Sequence, residues 1–222
     1  MICSNLWANV NILNNLIAPE FSLSKGLDVP EKFRKLIDWK KVYGNSLPLT
    51  LEIGFGNAEF LADLALKNPD RNILGIELSP ISIKKAIRLI QKNDIKNVRL
   101  FKLDARLVMK YFVPDDSIDT IYINFPDPWP KKKHKKNRLI SETTLDIFMR
   151  KLIQGGQLFF VTDWRDYAEE AREVFASRTE LRSIFSPQWY KNEYPEYFST
   201  KYERKWKNMD RDIYYQCYVY KE

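Results

Sequence analysis

The sequence is poor in the residues that staple or metallate a fold. It has one histidine, His134, and two cysteines, Cys3 and Cys217, in no metal-ligand spacing. Neither a zinc site nor a disulfide framework is expected. No apolar run is long enough to cross a membrane, and the first residues lack the basic-then-apolar pattern of a signal peptide. No internal repeat or low-complexity linker interrupts the chain. These absences predict a soluble, cytoplasmic protein with no metal and no membrane partner. At 222 residues the chain can bury a sizeable core unaided, as one large domain or one domain with an extension.

Charge is uneven. The 36 basic and 29 acidic residues give +7. Lys131, Lys132, Lys133, Lys135, Lys136 and Arg138 supply most of it, because without those six the balance is 30 to 29, or +1. The excess is therefore a patch, which favours a polyanionic partner over general solubility. A solvated charged surface is the common explanation of such a run. Here the run directly follows a candidate ligand loop, and that shifts the weight.

That loop organises the chain. Residues 121–138 read I-Y-I-N-F-P-D-P-W-P-K-K-K-H-K-K-N-R. Ile118 to Asn124 is a buried parallel strand. Pro126, Pro128 and Pro130 lack amide donors and force their predecessors extended, so the sheet stops there. Asp127 then stands on a stiff loop past the strand's carboxyl end, where open α/β sheets bind ligands.

Upstream, Leu49–Ile53 is a strand, Gly54-Phe55-Gly56-Asn57-Ala58 a turn, and 59–67 a helix. This opens a nucleotide-binding βαβ unit. The third glycine of a dinucleotide fingerprint is missing, since Glu59 occupies its place. The strand Asn72–Ile76 leads into Glu77, 23 residues after Gly54, close to the spacing of about 20 at which an acid takes a ribose diol. The alternative is a surface acid that caps the helix starting at Ser79-Pro80 and running to about Asn93, but the spacing and the strand-end position together favour the ligand role. A third strand, 98–103, ends in Asp104-Ala105, where Asp104 suits an adenine amino group or the N-cap of a short helix. Ser141 caps a helix through Lys151, Gly155-Gly156 ends it, and Gln157–Thr162 is the fifth strand. Asp163 follows it, as a ligand acid or the N-cap of a helix from about Arg165 to Ser177. Asp212–Tyr220 alternates as a late antiparallel strand. Before all this, 30–42 suits a short helix with Phe33, Leu36, Ile37 and Trp39 partly buried. Residues 1–47 are expected to form an extension or cover, and 48–222 the main domain.

Five strands alternating with helices, an E-x-G-x-G first turn, an acid ending strand two and D-A ending strand three resemble a class I S-adenosylmethionine-dependent methyltransferase. N-F-P-D-P-W-P-K-K-K-H-K-K-N-R narrows the match, for it resembles the tRNA (guanine-N7-)-methyltransferase family of bacteria. Thr162-Asp163-Trp164-Arg165 and Thr200-Lys201-Tyr202-Glu203 match in order and spacing. The resemblance covers roughly residues 50–215. It implies a Rossmann-like α/β fold with a mostly parallel seven-stranded sheet and an antiparallel strand near the C-terminus. It implies S-adenosylmethionine as cofactor, tRNA as partner, and methylation of N7 of guanosine 46 in the variable loop. By this resemblance Glu52, Gly54, Gly56, Glu77, Asp104 and Asp127 serve the cofactor, with Asp127 also the catalytic candidate. Lys131, Asp163, Thr200, Lys201, Tyr202 and Glu203 serve the substrate, and Lys133, His134, Lys135, Lys136, Asn137 and Arg138 contact RNA. Such families include monomers and homodimers.

Two departures stand out. Ala58 occupies a family glycine, tolerable only at negative φ. Near Asp210 the family carries another glycine. Two rival readings stay open. Amino-group methyltransferases use N-P-P-Y after strand four, whereas Asn124-Phe125-Pro126-Asp127 puts an acid where the aromatic belongs, which favours a ring nitrogen. A non-catalytic RNA-binding module on the same fold is disfavoured by the retained glycines and acids.

Overall fold

The computed structural model describes residues 29, 31, 34–195, 197 and 200–221, and for Lys201 the backbone alone. The chain divides into two compact units, Met1–Pro114 and Asp115–Glu222. Seven strands among the described residues form one mixed sheet.

In the first unit, α1 (Trp39–Tyr43), β1 (Leu49–Ile53), α2 (Glu59–Lys67), β2 (Asn72–Ile76), α3 (Pro80–Lys92), β3 (Val98–Phe101) and α4 (Ala105–Tyr111) follow in order. β1 pairs with β2 and β2 with β3, all parallel. Every residue of β1 and β2 is buried, as expected for strands covered on both faces. α3 buries Ile83, Ala86, Ile87 and Ile90 along one stripe, which its 3.6-residue period aligns. β3 stops at Phe101, two residues short of expectation. Of the helix expected over 30–42, residues 34–38 are not helical and α1 begins only at Trp39. Leu36 is exposed, while Ile37 and Trp39 are buried; Phe33 lies outside the described residues. This segment is pinned down: the Tyr43 hydroxyl donates to the Ile73 carbonyl at 2.7 Å, and Arg99 lies 4.9 Å over the Tyr43 ring.

The second unit holds β4 (Ile118–Asn124), a 3-10 helix (Lys132–Asn137), α5 (Glu142–Lys151), β5 (Leu152–Thr162), α6 (Arg165–Ala176), β6 (Leu181–Ser183), α7 (Lys201–Lys207) and β7 (Tyr214–Tyr220). β4 and β5 are parallel, and β7 runs antiparallel to both β5 and β6. The mostly parallel seven-stranded sheet with its antiparallel C-terminal part is therefore as expected, and β6 is the one strand that the sequence did not locate. Phe160 packs edge-on to Tyr167 and to Phe175, and Phe175 meets Tyr218 at 4.5 Å. This aromatic core seats α6 on the sheet.

The glycine pair corrects one boundary. α5 ends at Lys151, and Gly155-Gly156 lies inside β5 rather than ending the helix. Ile118 pairs with Leu152 but Thr120 with Gln157, so β5 carries extra residues there. Gly155 takes φ +77°, and a side chain on Gly156 would meet the carbonyls of Ile153 at 2.8 Å and Asp119 at 3.1 Å. The bulge needs both residues bare.

Ala58 does not keep a negative φ. It sits at φ 63° as the buried N-cap of α2, and Asp210 takes φ 51°. Ala58, and Asp210 near the second expected glycine, thus occupy left-handed backbone, at a cost of about 1–2 kcal/mol for an L-residue. Ala58→Gly relieves that strain against a smaller entropic loss and is expected to stabilise the fold by about 1 kcal/mol, raising Tm by roughly 2–4 °C. Thermal unfolding tests it; an unchanged or lower midpoint contradicts the strain.

Candidate active site

In the first unit the expected ligand acids cluster at the carboxyl ends of β1, β2 and β3. Glu52 is buried in β1, opposite Gly75 of β2. Gly75 has no room for a side chain, because Phe55 and Leu61 would lie 2.8 and 2.9 Å from its Cβ. Phe55 thus packs the glycine turn down onto β2. Gly54 and Gly56 both take positive φ, and the space on their Cβ side is open to 4 Å. That bare rim is the cradle a nucleoside needs against backbone.

Glu77 holds this turn. Its Oε2 accepts from the Gly56 amide at 3.0 Å, while Oε1 accepts from the amides of Leu78 at 2.8 Å and Ser79 at 3.0 Å. Ionised carboxylate oxygens offer about four acceptor positions, so one on Oε2 remains for a hydroxyl. The helix-start and ligand roles are therefore compatible in one side chain. Asp104 caps α4 through the Arg106 amide at 2.8 Å and is gripped by the Arg106 guanidinium at 2.9 and 2.6 Å. Burial pushes its carboxyl up, but the Arg106 hydrogen bond and charge, with backbone amides, outweigh this and hold it below the usual range. Asp104 thus stays an anion able to accept an amino group.

In the second unit, three segments that are distant in sequence meet. The 125–138 loop leaves β4, Asp163 follows β5, and α7 comes from the C-terminal third. The Phe125 amide donates to the Val161 carbonyl at 2.8 Å. Tyr197 hydrogen-bonds the Asn124 side chain, and the Phe125 and Tyr202 rings lie 6.3 Å apart. Phe125 and Trp129 both take positive φ, an unusual conformation for bulky residues. Asp127 and Lys131 project into solvent. Asp163 is not the cap of α6; that position is Trp164, whose amide donates to Thr162 Oγ1 at 3.2 Å. Instead Asp163 Oδ2 accepts from Arg211 at 2.7 Å, and Arg211 lies 4.3 Å over the Trp206 ring.

Thr200 and Glu203 are buried and form a capping box for α7, with reciprocal bonds of 2.9 and 3.2 Å. Glu203 also pairs with Lys207 at 2.8 Å. The sequence reading missed α7, although Thr-x-x-Glu is itself a helix-start signal. Tyr202 stays half exposed, and the Lys201 side chain lies outside the described residues.

The basic run divides in two. Lys133, Lys136 and Asn137 are exposed on the 3-10 helix, beside Lys131 and Lys132, and His134 meets the Trp129 ring edge-on at 5.9 Å. Arg138, expected among the RNA contacts, is instead buried. Its Nε donates to the Pro128 carbonyl at 2.9 Å, its two terminal nitrogens bind Glu170 and Asp166 at 2.6 Å each, and it lies 4.7 Å over the Tyr167 ring. Lys135 joins the same acids, at 2.8 Å from Asp166. Asp166 is held below the usual carboxylate range by the Lys135 hydrogen bond first and the Arg138 bond second. Acids four apart on α6 explain this burial, for they offer a fork that a guanidinium fits. Arg138→Met is expected to cost about 2–3 kcal/mol, below the full buried-pair range because Asp166 is half exposed. Lys133→Met changes stability by less than about 0.5 kcal/mol. Denaturant midpoints compare the two, and equal effects would contradict the anchoring role.

The geometry has relatives among known proteins. The methyltransferase family model Methyltransf_4 matches residues 46–216. A tRNA (guanine-N(7)-)-methyltransferase of Thermotoga maritima is 37% identical over 186 residues, covering 83% of this chain and 58% of that protein. A protein of the same name from Francisella tularensis subsp. novicida is 35% identical over 187 residues, covering 82% and 78%. The chain therefore spans just over half of the first relative's length and over three quarters of the second's. The solved 16S rRNA methyltransferase KamB has a TM-score of 0.62 at 13% identity, covering 87% of this chain and 98% of that one, a likeness of fold. With a family model spanning most of its length and relatives above 30% identity, the chain belongs to the tRNA (guanine-N(7)-)-methyltransferase family.

Proposed function

We propose that this protein transfers a methyl group from S-adenosylmethionine to N7 of guanosine 46 in the tRNA variable loop, within the cytoplasm. Residues 48–222 form the methyltransferase domain in this reading, with 1–47 as an extension. The observation that carries it is the rim of the second unit. There Asp127, on a proline-stiffened loop, adjoins exposed Lys131, Lys132, Lys133 and Lys136, with α7 and Asp163 tied into the same rim. The family membership supports the choice of tRNA and of guanine N7.

The residues of the first unit fit the cofactor. Gly54 and Gly56 give it bare backbone, Glu77 keeps an acceptor position for a ribose hydroxyl, and Asp104 is an anionic acceptor for the adenine amino group. Glu52 belongs to the same group by resemblance. S-adenosylmethionine, when bound, supplies an electrophilic methyl on a sulfonium. Guanine N7 already has an available lone pair, so no residue need act as a general base. The protein's work is positioning and electrostatics. Positive charge grows on the guanine ring as N7 is alkylated, and a carboxylate at Asp127 or Asp163 stabilises it while accepting from N1–H and the amino group. For Asp163 this means exchanging Arg211 for the base. The exposed lysines bind phosphates, giving affinity without sequence information. Thr200 and Glu203 serve through α7, which carries Tyr202 to the loop.

Methyl transfer from labelled S-adenosylmethionine to unmodified tRNA, mapped by aniline cleavage at N7-methylguanosine, tests the reading. Cleavage at guanosine 46 is expected; incorporation without cleavage would point to an amino group and overturn it. Asp127→Ala is expected to lower kcat by at least 100-fold, as losing a transition-state charge partner does, with the melting temperature unchanged. A variant with near-native kcat would remove Asp127 from the chemistry.

A further inference from the structure

Helix α3 has two opposed faces. Ile83, Ala86, Ile87 and Ile90 face the core. The opposite face carries Ile81, Lys84, Lys85, Arg88 and Lys92, which fall at i, i+3, i+4, i+7 and i+11 and so form a single stripe. All five are exposed. The helix contains no acidic residue. Among the described residues, none of these four cations has an acidic partner. By contrast, Lys96 pairs with Asp94 and Arg106 with Asp104 in the same unit.

Such a stripe works against its own helix, since like charges four apart repel. Lys84 with Arg88, and Arg88 with Lys92, are such pairs. The arrangement becomes favourable when a polyanion lies along it. From Lys84 to Lys92 the helix rises about 12 Å, enough for its cations to meet more than one phosphate of a strand. An anionic lipid surface fits less well, because the apolar face that would enter it is already buried in the core. An acidic protein partner would require an apolar centre to the patch, and Ile81 at one end does not make one.

We infer that the outer face of α3 is a second RNA-backbone contact, binding tRNA phosphates independently of the basic run at 131–136. This rests on the tRNA reading above. It assigns to the first unit a share of substrate affinity beyond its cofactor residues.

The test is the variant Lys84→Gln/Lys85→Gln/Arg88→Gln/Lys92→Gln, assayed for tRNA methylation over a range of salt concentrations beside the native protein. KM for tRNA is expected to rise about tenfold or more. The log–log salt slope is expected to flatten by about 2–4, near one for each phosphate that the variant no longer neutralises. Affinity for S-adenosylmethionine, kcat and melting temperature are expected to hold, which separates a docking role from a structural one. An unchanged KM and slope in a variant that still methylates tRNA would overturn the second contact and leave the proposed function standing. A native protein that neither binds nor methylates tRNA would overturn both. Loss of binding to phosphatidylglycerol vesicles, with tRNA kinetics unchanged, would assign the stripe to a lipid surface instead.

Discussion

A guanidinium taken out of water must find acceptors for its donors, and in the second unit that requirement governs the loop after β4. Arg138 meets it with two carboxylates of α6 and the Pro128 carbonyl. The result is a tie between the proline segment and a helix packed on the sheet by Phe160, Tyr167 and Phe175. Proline removes the amides through which a loop ordinarily holds itself, so Asp127 is fixed from outside by Arg138 and by the Phe125 amide. The neighbouring lysines stay in solvent because only Lys135 reaches the same acids. One basic run thus supplies both an anchor and a charged surface.

The same economy of side chains recurs within each unit. Glu77 binds three amides and keeps an acceptor position. Asp104 caps a helix while Arg106 keeps it ionised. Thr200 and Glu203 are consumed by the start of α7, which carries Tyr202 beside the Phe125 ring. Asp163 is held by a guanidinium stacked on Trp206. Charged groups at these positions are thereby held in fixed orientations, which lowers the reorganisation that any bound ligand would require of them.

Much of this was legible in the sequence, for identifiable reasons. β1 is an apolar run between Pro48 and Gly54, and the structure gives β1, β2 and β4 the expected bounds. The strand-end acids were legible because strand ends were. Gly155-Gly156 was misplaced because a helix stop and a β-bulge use the same residue type for the same lack of a Cβ; only the register against Ile118 and Thr120 separates them. β6 has three residues, too few to show a period. α7 was hidden by its own cap, since Thr200 and Glu203 read equally as a substrate signature. Arg138 could not be told from its lysine neighbours, because its partners Asp166 and Glu170 lie 28 and 32 residues onward and become neighbours only through α6.

The left-handed conformations of Ala58 and Asp210 carry a consequence at the level of the gene. Alanine and aspartate codons differ from glycine codons only at the second base, so Ala58 and Asp210 each lie a single nucleotide from the residue their backbone favours. Relief of strain at both is among the shortest mutational steps open to the coding sequence. A chain that holds such steps unused sits below its attainable stability, as natural proteins commonly do. It thereby keeps, at the glycine turn after β1 and after α7, a reserve against destabilising changes elsewhere.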